Sequence, residues 1–249
     1  MKQLLLLAIG LALVSCQSDS GKSDAESIEK ISQVFDAHGG YDTWSQMQTL
    51  RFAMDEEVHL VSLKDRKILI KEGKKKIGFD GEKVWVTPDD ADASDAHFYH
   101  NLFFYFIGMP FVLGDPGVIY ELIPSKQILG KSYDGIKVSY GDGVGNSSED
   151  NYILWVDPET NKMEWLMYTV TYRSGEESDQ YKLIKYSQWL ERKGLLLPQR
   201  LEWYTYKNDS VGNVRSEVTF SSVKLSKDRT SEVLFQMPEN AQLAPLNSQ

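Results

Sequence analysis

Four histidines, a single cysteine and several adjacent acid pairs are the groups in this chain whose types and spacing could do chemistry. His97 and His100 stand three apart in an aromatic run that reads as helical, a spacing that can put two imidazoles on one face and begin a metal site. Asp92 and Asp95 lie nearby, but no third ligand has motif spacing, and rings that are hydrogen-bonded or exposed are the plainer reading, so no metal is expected. His38, just before Gly39-Gly40, is expected at a helix end, where its charged form would suit the C-terminal dipole. His59 is expected at a strand end without partners. Glu56-Glu57, Asp89-Asp90 and Glu176-Glu177 are sequence neighbours, which face opposite ways on a strand and are usually solvated in loops, so they make poor acid–base pairs. Gly141-Asp142-Gly143-Val144-Gly145 follows a strand without opening a helix, so the context of a phosphate loop is missing. Lys71, Lys74, Lys75 and Lys76 with Arg66 form a basic cluster that reads as a solvated turn. There is no G-x-S-x-G elbow and no thiol after Cys16. Nothing here asks for an enzyme or a cofactor; a hydrolase with an unrecognised site is the remaining enzymatic alternative.

Cys16 is the exception, because its surroundings give it a reaction. Met1-Lys2 supplies a positive start, and an apolar run from Leu4 to Val14, broken only by Gly10, ends in Leu13-Val14-Ser15-Cys16. About 20 apolar residues are needed to span a bilayer, so this run reads as a secretory signal. Its end resembles the bacterial lipobox, which implies diacylglyceryl transfer to the Cys16 thiol, removal of residues 1–15 and acylation of the new amine. One acyl chain binds a membrane marginally; two or more anchor stably. Gln17 follows the cysteine where an Asp would mark inner-membrane retention in known sorting systems, which tips the expectation to the outer membrane. Residues 16–24 are then a lipidated, polar tether, and 25–249 a single domain. The mature chain would have no thiol left for a disulfide. Loss of Lys2 from the 27 basic residues leaves about −10 against 36 acids, a poor match for nucleic acid or anionic headgroups. A monomer is expected.

The elements needed to position any site follow from periodicity. Ile28, Ile31, Val34 and Phe35 recur at helical spacing over 25–38, and 41–47 reads as a second short helix around Trp44. Alternation then marks strands, among them 66–72, 75–79 and 83–87, the last two joined by Asp80-Gly81. Residues 97–109 read as an aromatic helix ended by Pro110, and 117–122 as another short helix. Strands resume at 127–133, with an Asp134-Gly135 turn, then 136–140, 152–156, 162–172, 181–190, 197–206 and 214–225. The count is about eleven, mostly hairpin-linked, which points to an antiparallel meander.

This order of elements resembles the LolA/LolB lipoprotein-carrier fold. Trp155-Val156-Asp157-Pro158-Glu159-Thr160 resembles that family's strand-turn-strand, Phe235-Gln236-Met237-Pro238 its closing segment, and His38-Gly39-Gly40 with Trp44 resembles a group of bacterial lipoproteins of unknown function with this fold. The resemblance implies a mainly β architecture with helices: an incomplete antiparallel β-barrel of about eleven strands, covered by the N-terminal helix and the central helical insertion. It also implies a concave apolar face that holds a lipid or acyl chains. Trp165, Met167, Leu201, Trp203, Val218 and Phe220 are its expected lining, with Phe103 and Phe106 from the insertion above. The same aromatics could instead fill the barrel, which would suit an envelope or surface adaptor that binds a protein or glycan. The apolar residues 109–114 could project as a membrane-touching loop of the LolB kind.

Overall fold

The computed structural model of the chain describes residues 20–140, 151–171 and 178–245, with side chains from residue 24 onward. Cys16 and the glycine-rich 141–145 lie outside the described residues. The chain opens with helices α1 (Ser20–Ala37) and α2 (Tyr41–Ser45). Five strands follow as a meander: β1 (Thr49–Met54), β2 (Glu57–Ser62), β3 (Ile68–Glu72), β4 (Lys75–Phe79) and β5 (Val84–Thr87). Helix α3 (Ala96–Ile107) and a 3₁₀ turn at Phe111–Gly114 interrupt the sheet. A second meander comprises β6 (Val118–Ile128), β7 (Lys131–Tyr140), β8 (Tyr152–Val156), β9 (Met163–Tyr168), β10 (Lys182–Arg192), β11 (Leu195–Lys207) and β12 (Ser210–Thr219). The chain ends with β13 (Ser221–Ser226), a 3₁₀ turn at Glu232–Phe235 and the short β14 (Gln242–Leu243).

The strands form two seven-stranded antiparallel sheets, ordered β13-β1-β2-β3-β4-β5-β14 and β12-β11-β10-β9-β8-β7-β6. The fold is therefore mainly β with few helices, and its two sheets do not close into a barrel. Among the described residues there are fourteen strands, where about eleven were expected. Only Phe220 separates β12 from β13, so the chain steps from one sheet to the other at this fully buried ring, whose backbone N–H donates to the Gln199 carbonyl at 2.8 Å. The run expected as one strand over 214–225 is split there.

Several local expectations are corrected by packing. The expected helix at 117–122 is the start of β6, where Val118, Ile119 and Tyr120 alternate between half-buried and exposed, as stiff β-branched side chains on a pleat require. The expected strand over 127–133 contains a hairpin turn instead. Leu129 and Gly130 both take positive φ, 49° and 84°, the geometry of a two-residue primed turn. Asp134-Gly135, expected as the turn, lies inside β7. A Cβ at residue 135 would stand 2.5 Å from Ile123 Cγ1 and 2.7 Å from Trp155 Cζ3, so glycine serves packing there. His59, expected at a strand end, lies inside β2, and α1 begins at Ser20, within the segment read as tether.

The main core lies between the sheets and under the helices. Ile31, Val34 and Phe35 of α1 and Trp44 of α2 converge on Phe111, which is fully buried and stacks on Trp44 at 5.2 Å and on Phe35 at 6.3 Å. Met109, Phe111, Val112 and Leu113 are all buried, so 109–114 is a core plug and not a projecting loop. A second apolar cluster, containing Trp155, Trp165, Met167 and Leu183, covers the other face of the second sheet. Lys126 of β6 and Asp209 beyond β11 form an ion pair across this cluster, although β6 and β12 are opposite edges of the sheet. The sheet is thus strongly curled. Bulges in the β6–β7 and β11–β12 pairings supply the bend.

Candidate functional site

Helix α3 is apolar on nearly every side, which is the pattern of a helix buried on two faces. Ala96, His100, Phe104 and Ile107 form its buried rows, and it packs on β3, β4 and β5 of one sheet and on β11 of the other. Beside it opens a cavity of about 930 Å³, a size suited to a small lipid or drug-sized ligand. Phe103 and Phe106 reach it from α3, Phe79 and Val84 from the first sheet, and Tyr168, Trp203 and Val218 from the second.

The polar tips of the aromatic wall are tied to one another. Trp203 Nε1 donates to the Tyr168 hydroxyl at 3.1 Å, while the Phe106 ring meets both, at 5.4 Å from Tyr168 and 5.6 Å from Trp203. Tyr186, wholly buried, donates its hydroxyl to the Phe106 carbonyl at 3.2 Å, and burial pushes its pKa well up. Satisfying these groups internally leaves ring carbon toward the hollow on this wall, while Glu82, Asn101, Asp115, Thr169, Arg215 and Ser216 border it elsewhere.

His100 is the buried polar ring on this wall. It is 4 % exposed, lies 5.0 Å from the Phe79 ring, and its Nδ1 donates to the His97 carbonyl at 2.8 Å. Burial lowers its pKa to about 4 against the opposing pull of that hydrogen bond, so the ring is neutral near pH 7. His97, also on the cavity, places Nε2 at 3.2 Å from the Ala244 carbonyl. The i, i+3 pair is therefore engaged with backbone. Among the described residues no three His, Cys, Asp or Glu side chains gather to hold a metal ion.

The other two histidines depart from expectation. His38 is completely buried, with Nδ1 2.7 Å from the Val34 carbonyl and its ring edge-on to Trp189 at 4.6 Å. Desolvation lowers its pKa to about 4, so it caps α1 as a neutral ring and not as the cation suited to a helix dipole. His59 sits inside β2, stacked on Phe52 at 4.4 Å, with Nε2 2.5 Å from Glu57 Oε1. The hydroxyl of Tyr99 donates to the same carboxylate at 2.9 Å. Glu57 is thus a clamp between β2 and α3 and not a solvated member of an acid pair. Burial and the neighbouring Glu57 push the Tyr99 pKa up. Glu57 also borders a smaller hollow of about 320 Å³ with Glu72, Lys75, Asp92 and Asp95. Arg66 leaves the basic hairpin altogether: its Nη2 donates to Asp115 at 2.7 and 2.5 Å.

Of the residues expected to line a cavity, Phe103, Phe106, Trp203 and Val218 do so. Leu201 and Phe220 are fully buried in the main core without reaching the cavity. Trp165 and Met167 point to the opposite face of the sheet, where Trp155 Nε1 donates to Met167 Sδ at 3.0 Å. On β9 the inward residues are Leu166 and Tyr168. Sequence reasoning missed His100 and Tyr168 as cavity residues. For Tyr168 the pairing gave no signal, since Trp165 faces Lys185 and Tyr168 faces Lys182 on β10.

Solved structures with a similar fold include a LolA superfamily protein from Nitrosomonas europaea, 12 % identical, matching over 86 % of this chain and 98 % of that one with a TM-score of 0.47. A DUF1329 family protein from Desulfovibrio piger is 11 % identical over 84 % of this chain and 97 % of that one, also with a TM-score of 0.47. No curated protein matches the sequence. The family model of DUF6503, described as a family of unknown function, matches residues 66–219, a span running from the start of β3 through α3 to the end of β12. That span holds most of the cavity wall, and this chain belongs to the DUF6503 family.

Proposed function

We propose that this protein is an envelope lipoprotein that binds the acyl chain of a lipid, or of another acylated molecule, in the cavity beside α3, without turnover. The observation that carries the reading is the aromatic-walled hollow of about 930 Å³ between α3 and the two sheets. Each CH₂ taken from water contributes roughly 0.8 kcal/mol, so a twelve-carbon tail gains roughly 9 kcal/mol before the costs of ordering and association. After about 4 kcal/mol of such cost roughly 5 kcal/mol remains, which corresponds to a Kd of about 0.2 mM. The expected result is saturable, one-to-one uptake of a fluorescent fatty acid by the delipidated chain from residue 17 onward, which contains every described element. Absence of saturable uptake would remove this reading.

The anchor belongs to the same proposal. Residues 1–15 are removed, Cys16 is acylated, and the chain is held on the outer membrane as a monomer. Among the described residues no helix is long and apolar enough to cross a membrane. Labelled palmitate is expected to enter the wild-type protein in bacterial cells. The Cys16→Ala variant should lose the label and leave the membrane fraction; retention of label by that variant would overturn the assignment. A fixed acceptor, standing at one membrane and receiving chains from a mobile donor, is the role such an anchor favours.

A further inference from the structure

We infer that the guest of the cavity is a glycolipid, an acyl chain carrying a neutral sugar head that packs along a rung of aromatic rings on the second sheet. The inference rests on the acyl-binding reading above and specifies the head of its ligand. Register builds the rung. Tyr152 of β8 stands directly opposite Tyr168 of β9 and opposite Val138 of β7, two residues before Tyr140, so the three tyrosines share the inner face of three neighbouring strands. At the strand spacing of a sheet they cover roughly 10 Å, comparable with two linked pyranose rings. All three are half-buried and border the cavity, and the Tyr140 and Tyr152 rings meet edge-on at 6.1 Å. Trp203 of β11, whose Nε1 donates to the Tyr168 hydroxyl, extends the rung to Ser216 of β12, its partner across the ladder. The carbon-bound hydrogens of a pyranose make an apolar face that packs on such rings, while its hydroxyls each donate and accept.

The polar residues of the cavity suit that head better than a charged one. Asn101, Thr169 and Ser216 offer uncharged groups that both donate and accept, as sugar hydroxyls require. Asp115 is neutralised by Arg66, whose Nη2 donates to it at 2.7 Å. The exposed charges that remain, Glu82 beside β5 and Arg215 on β12, are of opposite sign, and among the described residues neither has an ion-pair partner. Their sum is zero, so the lining gives no net field to draw an anionic head, whereas a carboxylate and a guanidinium both hydrogen-bond sugar hydroxyls. The rings of α3, Phe103 and Phe106, are left for the acyl chain.

The test uses the chain from residue 17 loaded with a dansylated fatty acid, displaced below micellar concentrations by three amphiphiles with the same ten-carbon tail. Decyl maltoside brings a neutral sugar, decanoate an anion and decylphosphocholine a zwitterion. The maltoside is expected to displace the probe at a concentration at least about tenfold lower than either of the others. In Tyr152→Leu, which removes the middle ring and keeps an apolar side chain, that preference should fall to about threefold or less. Equal displacement by all three in the wild type, or a lead for decanoate or decylphosphocholine, overturns the sugar head while leaving acyl binding intact, whether or not the variant folds. A folded Tyr152→Leu that keeps the full preference also overturns it, because the rung then plays no part. Failure of the dansylated fatty acid to bind at all defeats the acyl-binding reading, and this inference with it.

Discussion

Replacing Phe111 by alanine will destabilise the protein by about 3–5 kcal/mol, the range for deleting a buried aromatic ring from a packed core. The ring is fully buried, and three elements depend on it at once: Phe35 of α1 at 6.3 Å, Trp44 of α2 at 5.2 Å, and His38 beyond α1 at 6.5 Å. These are rigid neighbours, and a hole between stacked rings collapses poorly, which puts the cost toward the upper part of the range. For a domain of this size the melting temperature should drop by roughly 10 °C or more. Thermal unfolding monitored by near-ultraviolet circular dichroism measures it directly. A loss under 1 kcal/mol would mean that 109–114 is not the plug described above and is free to leave the core.

Acidification between pH 6.5 and 4 will weaken the fold by an amount of the same order. His38 and His100 are held near pKa 4 by burial, whereas in the unfolded chain an imidazole titrates near 6.5. Above pH 6.5 neither state binds the proton, so these rings leave stability unchanged. Between 6.5 and 4 the unfolded chain takes up protons that the folded chain refuses, so stability falls as the pH falls. By pH 4 the loss reaches about 3 kcal/mol for each ring, and it is complete only below the folded pKa. Urea titrations at pH 7, 5.5 and 4 should show the midpoint falling through this window. Replacing His38 by leucine should remove about half of the pH-dependent part. A midpoint that is flat from pH 7 to 4.5 would contradict the buried, neutral state of both rings.

How far the molecule was legible before its structure depended on what each pattern encodes. Periods of 3.6 and 2 carried α1, α3 and most strands, because each of these buries a defined stripe. Asp134-Gly135 misled because the same dipeptide answers two different needs. A primed turn wants glycine for positive φ, while the interior of β7 wants it because Ile123 and Trp155 leave no room for a Cβ. The real turn, Leu129-Gly130, carries a leucine where turn chemistry leads one to look for Asn or Asp.

The cavity wall was half legible for a related reason. Alternation shows that β9 has two apolar faces but not which one is inside. Trp165 and Met167 looked like a lining, yet the second sheet curls its outer face closed over them, and Tyr168 takes the inner position. Charge across the ladder does not resolve the two, because Trp165 pairs with Lys185 and Tyr168 with Lys182; the curl of the sheet decides. His100 was visible as a residue but not as a cavity group. Its place there depends on the His97 carbonyl occupying one nitrogen and on the cavity lying beside the ring, and both are tertiary facts.

The pairing of β1 with β13 also bears on how the chain is made. Thr49 faces Ser226 and Leu50 faces Leu225 across that ladder, and the Thr49 hydroxyl bonds the Asp228 carbonyl, 179 residues away. The first strand to emerge from the ribosome must therefore wait for nearly the last one. Val86 likewise waits for Gln242. Loop closure over such distances is slow, placing the final step on the millisecond-to-second scale seen for β proteins dominated by non-local contacts. A chain whose first sheet cannot close until a strand far downstream has been made stays open during much of translation, a state compatible with threading through a membrane pore before folding.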